Sequence, residues 1–216
     1  MPAAAAAGAR LVVFPELSLT GYLPAAVAAD PALSVALDDS RLRPLREECR
    51  SRSVTAVVGA PTVRGGEHHL SALVIDGQGA VGVYDKRNLF EHEHAVFTAG
   101  HGAHVLDLEG RRLALGICFD LSDEAQAAEA GTADAWLLGV LLSQGGYRSD
   151  ADRAAEVARR HRVPVVLVNH AGSTGGWTAA GGSGSWWPGG GSVVAGPRAG
   201  VWLIDLDDPE VLRQVD

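Results

Sequence analysis

Three apolar runs of this chain each lead into a reactive side chain: "LVVFPEL" into Glu16, "VGVYDK" into Lys86 and "LALGIC" into Cys118. Taken singly, each has an ordinary explanation, with Glu16 and Lys86 as solvated strand ends and Cys118 as a small buried hydrophobe. Taken together they supply a base, a cation and a thiol, which strands of one sheet can bring to a common edge. A thiol must lose its proton to attack a carbonyl, and a carboxylate within hydrogen-bond reach can take that proton if its surroundings raise its pKa. Glu16 would be that base. The tetrahedral intermediate carries negative charge, which the Lys86 ammonium and the backbone N–H of Phe119 would stabilise. The chemistry is acyl transfer through a thioester, with water as the second nucleophile. A cysteine hydrolase with an imidazole base is the competitor, and the histidines at 68–69, 92–104 and 161–170 leave it open.

The elements that must position these groups read as alternating strands and helices. "LVVF" (11–14), "VTAVVGA" (54–60), "AWLLGVLL" and "VPVVLVN" (163–169) are buried strands. "LSALVID" and "AVGVYDK" flank Gly77–Gly79, and "HVLDL" and "RRLALGIC" flank Glu109–Gly110, so each pair reads as a hairpin. Asp30–Pro31 opens a helical region that runs in pieces toward Arg52. "SDEAQAAEAG" is a short helix, and "SDADRAAEVARRH" is a longer one that Ser149 and Asp152 open as a capping box. The stretch 172–191 is rich in glycine, serine and tryptophan. Trp177, Trp186 and Trp187 make it an ordered loop of the same domain, lining an entrance or packing the loop, and not a linker.

Composition bounds the partners. The 216 residues are 47% hydrophobic and 20% charged, which suits one domain over 1–216. A net charge of -8 with a pI near 5.4, and no cluster of Lys and Arg, argue against nucleic acid. No apolar run approaches the roughly 20 residues of a membrane helix, and "MPAAAAAGAR" lacks the basic start of a signal peptide, so no membrane partner is expected. Cys49 and Cys118 build no disulfide framework, which points to the cytoplasm. Glu91, His92, Glu93 and His94 alternate without the helical H-E-x-x-H spacing, and no G-x-G-x-x-G follows a strand, so neither metal nor cofactor is expected. Asn169 and His170 end a strand on the reactive edge, where substrate contact and strand capping are both open.

In this order, "FPELSLTGY" (14–22), "YDKRNLF" (84–90) and "GICFD" (116–120) resemble the three signature segments of the nitrilase superfamily of carbon–nitrogen hydrolases. The resemblance continues through "VPVVLVNHAG" to "GGSVVAG". It implies an α/β fold, an α-β-β-α sandwich with two mixed sheets, here lacking the usual first strand. It also implies a Glu-Lys-Cys triad at Glu16, Lys86 and Cys118. "EHAVFTAG" places the family's second glutamate at Glu93, where it would orient Lys86 and the substrate. Phe119–Asp120 after the thiol, where nitrile-cleaving members carry Trp-Glu, favours a linear amide or N-carbamoyl substrate. The family's habits imply a homo-oligomer. The alternative is a non-catalytic member kept as a binding or assembly module.

Overall fold

Alternate residues along the strands point into two different cores, and that alternation creates the layers. The computed structural model describes residues 1–79 and 81–215. In chain order the elements are α1 (Pro2–Ala6), β1 (Leu11–Val13), α2 (Pro24–Ala29), α3 (Arg43–Arg52), β2 (Thr55–Arg64), β3 (Glu67–Ile75) and β4 (Val81–Asp85). There follow β5 (Val105–Leu108), β6 (Arg111–Ile117), α4 (Glu124–Ala130), β7 (Ala135–Val140), α5 (Tyr147–His161) and β8 (Val165–Asn169). The chain closes with β9 (Ala171–Thr174), β10 (Trp177–Ala180), β11 (Gly184–Trp186), β12 (Ser192–Val194), β13 (Val201–Ile204) and β14 (Leu212–Val215).

Two mixed sheets result. One has four strands in the order β1-β2-β3-β4, and the other has six in the order β12-β11-β8-β7-β6-β5. Val57 of β2, Leu113, Leu115 and Ile117 of β6, Leu137 of β7 and Val166 of β8 share the core between the sheets. Their neighbours Trp136, Leu138, Val165 and Leu167 face the other way, against Ala127 and Ala130 of α4 and Ala154, Val157 and Ala158 of α5. On the outer face of the four-stranded sheet, Ala56, Val58 and Ile75 meet Cys49 of α3. The layers are therefore α-β-β-α, the sandwich expected, with two further two-stranded ribbons, β9–β10 and β13–β14. No strand precedes β1 among the described residues, so β1 stands at the edge of its sheet.

The helical region from Asp30 does run in pieces toward Arg52, as 3₁₀ turns at Pro31–Leu33 and Ser40–Leu42 followed by α3, with the Asp30 carboxylate accepting from the Ala32 N–H at 3.1 Å; other local expectations need correction. Ser149 caps nothing. The helix already starts at Tyr147 behind Gly146, which has no side chain to offer. The glycine-rich stretch is ordered, but as strands: it holds the ribbon β9–β10 and β11, which joins the large sheet. β2 and β3 form a hairpin not foreseen, turning at Gly65 and Gly66, both at positive φ. Ala80, placed at the head of the "AVGVYDK" strand, lies outside the described residues.

Candidate active site

The segment after β1 is gripped by both sheets. Gly59 of β2 and Gly139 of β7 face it. A Cβ at Gly59 would overlap the Pro15 carbonyl and the Leu17 nitrogen, and one at Gly139 would sit 2.9 Å from the Phe14 oxygen and 3.1 Å from the Glu16 nitrogen. Only glycine lets the backbone approach this closely. Leu17 then turns the chain at φ 48°. The Glu16 side chain is fully buried; its Oε1 accepts from Lys86 Nζ at 2.7 Å, and its Oε2 has no hydrogen-bond partner among the described residues. Burial pushes the Glu16 carboxyl up from 4.5 to about 7, against the pull of the Lys86 ammonium and with help from Glu93.

Lys86 extends β4 by one residue, its N–H donating to the Leu70 carbonyl at 2.8 Å and its carbonyl accepting from Gly100 at 2.8 Å. Its ammonium lies 2.9 Å from the Glu93 carboxylate, on a side chain with no exposed surface. Glu93 is fixed by the Tyr22 hydroxyl at 2.7 Å and the Phe90 N–H at 2.7 Å. Burial opposes the charge on Lys86, but Glu16, Cys118 and Glu93 outweigh it and hold the ammonium above its ordinary pKa. Of its three protons, two are engaged by carboxylates, which leaves one for an incoming oxygen.

Cys118 opens a 3₁₀ turn, Cys118–Ser122, directly after β6, at φ 45°. A non-glycine residue in this region is strained, a feature concentrated at functional sites. Asp120 holds the turn. Its Oδ2 accepts from the Ile117 N–H at 2.8 Å and the Tyr84 hydroxyl at 2.8 Å, and its Oδ1 accepts from the Asn88 N–H at 2.9 Å and the Asn88 amide at 3.2 Å. The loop bearing the thiol is thereby tied to the loop just past Lys86. The thiol approaches the Leu141 carbonyl at 3.8 Å. Burial, and next the Glu16 charge, raise its pKa well above the usual value, so it rests protonated. Phe119 follows in the first residues of the turn, where N–H groups lack partners within the turn.

Glu16, Lys86 and Glu93 thus form one buried, hydrogen-bonded cluster, and Cys118 acts electrostatically on both Glu16 and Lys86. A sequence profile of the carbon-nitrogen hydrolases matches residues 1–207. The chain belongs to that family. No curated protein matches it in sequence. Among solved structures it is similar to the amidase from Nesterenkonia sp. AN1, whose structures include one described as a member of the nitrilase superfamily. A glutamate-to-glutamine mutant of that amidase, showing Michael addition of acrylamide at the active-site cysteine, shares 26% identity. The match covers 99% of this chain and 82% of that one, with a TM-score of 0.82. A cysteine-to-alanine mutant in complex with butyramide shares 26% identity over 91% of this chain and 78% of that one, with a TM-score of 0.81.

Other expected residues of this family member lie as follows. The Asn169 side chain is spent on backbone: Oδ1 accepts from the Leu142 N–H at 2.8 Å, and Nδ2 donates to the Leu142 carbonyl at 3.1 Å and the Gly181 carbonyl at 2.7 Å. That is a clasp between strand ends, the capping alternative. The tryptophans divide: Trp186 is buried against α5's side of the large sheet, Trp187 donates to Ser185 at 2.9 Å, and Trp177 is exposed and stacks on His92 at 6.3 Å between ring centres. Phe119 meets Phe90 edge-on, and Phe90 meets His92, so these rings run from beside the thiol to Trp177. Among the described residues no group of three or more His, Cys, Asp and Glu could hold a metal, and no helix is long and apolar enough to cross a membrane. Sequence reasoning gave no role to Tyr22, Asn88, Asp120, Gly59 or Gly139. The available signals were an acid two residues past the thiol and glycines inside strands.

Proposed function

We propose that the protein is an amidase-type hydrolase that cleaves the carbon–nitrogen bond of a linear amide or N-carbamoyl compound, with residues 1–216 working as one domain. The observation that carries this reading is the buried Glu16–Lys86–Glu93 cluster, with one carboxylate oxygen of Glu16 unpartnered and a strained cysteine beside it. Glu16 Oε2 takes the thiol proton as Cys118 Sγ attacks the carbonyl carbon. The oxyanion is met by the third proton of Lys86 and by the Phe119 N–H. The carbon–nitrogen bond then breaks, the leaving nitrogen takes the proton from Glu16, and a thioester remains. Water, deprotonated by Glu16, releases the acid and the free thiol. Glu93 orients Lys86, and Asn169 serves the site as a clasp.

Ammonia release from a panel of simple amides and N-carbamoyl compounds tests this, with Cys118→Ala as control and intact mass to detect the acyl adduct. Turnover by the native chain alone is the expected result. No turnover together with equal iodoacetamide labelling of Cys118 and buried Cys49 would overturn it. The same reading includes self-association in the cytoplasm, supported by the exposed Leu19, Leu23, Phe119 and Trp177 and by two unpaired thiols. Sedimentation giving only monomer at high concentration would remove the first part.

A further inference from the structure

The base is also held from behind, by a residue the reaction above does not use. His170 follows β8, and its Nε2 lies 2.6 Å from the backbone carbonyl oxygen of Glu16, 154 residues away in sequence. A carbonyl only accepts, so Nε2 carries the proton. This is the carbonyl's only hydrogen-bond partner among the described residues. Burial lowers the His170 pKa, opposed by the bond to Glu16, so the ring is neutral and donating around neutral pH. Its surroundings are sparse in charge: Glu16 lies ahead, and the exposed Arg198 shares with it the wall of a cavity of about 170 Å³.

We propose that His170 is a positioning residue for the base, fixing the peptide plane between Glu16 and Leu17 and so the aim of the Glu16 carboxylate. This rests on the role given to Glu16 above. Rotating that rigid plane changes ψ of Glu16 and φ of Leu17 together. Leu17 sits at φ 48°, a left-handed conformation that is unfavourable for a leucine, so the plane needs an external hold to stay where it is. Gly59 and Gly139 limit where the backbone lies, but neither bonds to the Glu16 carbonyl. His170 does. Loss of the bond frees the plane to swing, and the Glu16 carboxylate then shifts from its place against the Lys86 ammonium.

The test compares the native chain, Glu16→Gln, His170→Ala and His170→Gln, whose amide N–H can reach the same carbonyl. Three quantities are read: kcat and KM for amide hydrolysis, the pH midpoint of Cys118 alkylation by iodoacetamide followed by intact mass, and the thermal midpoint. His170→Ala should lower kcat about tenfold or more at unchanged KM, since misplacement of a reacting group by a fraction of an ångström is costly. It should also shift the pH midpoint of Cys118 alkylation relative to the native chain, because the thiol loses a well-aimed proton acceptor. His170→Gln should recover both. The proposal is overturned if His170→Ala matches the native chain in kcat and midpoint, or if His170→Gln restores the thermal midpoint but not kcat. If Glu16→Gln itself leaves the alkylation profile unchanged, the base is misassigned and this inference goes with it, a result distinct from the other two.

Discussion

The inter-sheet core is closed in opposite ways at two places. At the corner where β1, β4 and β6 end, Glu16, Lys86, Glu93 and Asp120 are 1% exposed or less, and each is bound to partners from other segments. Along the free edge of β1 the described residues form no such buried network. A groove of about 660 Å³ runs between β1 and β13, lined by apolar side chains including Leu11, Val13, Leu113, Leu137 and Ile204. The corner keeps charges dry by over-determining them with hydrogen bonds, whereas the flank packs apolar side chains and leaves its ion pairs, Arg10–Glu109 and Arg111–Asp207, at the exposed rim. Chemistry and adaptable packing thus occupy different regions, and substitutions in the two should separate activity from stability.

The largest effect belongs to Cys118→Ala. Loss of the thiol should abolish the acyl adduct seen by mass and all measurable turnover, with the thermal midpoint little changed, because the side chain makes one weak bond. Lys86→Ala comes next. Losing an oxyanion donor costs about 10² to 10³ in turnover, and two buried carboxylates are left facing one another, with a stability loss of about 3–5 kcal/mol. A folded Lys86→Ala variant with native kcat would break the contrast. Asp120→Asn places an amide N–H where four donors converge and should cost about 2 kcal/mol or more in urea denaturation, along with kcat.

The pH dependence sharpens the same contrast. Glu16 must be ionised to act as a base, so kcat/KM should rise with pH through about 7. For stability the sign is reversed. The folded pKa of about 7 lies above the ordinary carboxyl value of 4.5, so between these pH values the native state binds more protons than the unfolded one, and the contribution of Glu16 falls as pH rises. The thermal midpoint of the native chain, measured against Glu16→Gln, should therefore decline from pH 4.5 to 7. A difference flat across that window would mean that the carboxyl is not perturbed.

How much of this was legible in the sequence depends on whether the information was local. The strands around Val57, Leu115 and Leu137 announced themselves by apolar runs, and their two faces follow from a period of two. Glu16, Lys86 and Cys118 stood out because a reactive type ends each run. The Asp120 network was illegible: its partners Tyr84 of β4, Asn88 of the loop that follows and Ile117 at the end of β6 lie in two separate stretches of sequence, and only the fold brings them together. Asn169 stayed undecided for the same reason, since only the fold shows its side chain bonded to the backbone of Leu142 and Gly181. Gly59 and Gly139 left a visible mark, a glycine inside a strand, but its meaning required knowing which backbone comes close. Ser149 misled because a capping pattern is cheap in sequence, and the backbone of Gly146 had already begun the helix.

The smallest effect tests the flank. Ile204 of β13 packs against the inter-sheet core across the groove from β1 and is only partly buried. Truncating a fully buried isoleucine to alanine costs about 2–5 kcal/mol, but part of that cost is the cavity left behind, and here the space already opens into a groove. Ile204→Ala should therefore cost about 1 kcal/mol in urea denaturation. It should leave kcat/KM unchanged, because none of the bonds that fix Glu16, Lys86, Glu93 or Asp120 passes through β13. The comparison with Asp120→Asn is the informative one, since both change a side chain without touching the reacting atoms. If Ile204→Ala lowered kcat/KM as much as Asp120→Asn does, the corner would not be insulated, and the flank would have to be counted among the elements that hold the base in place.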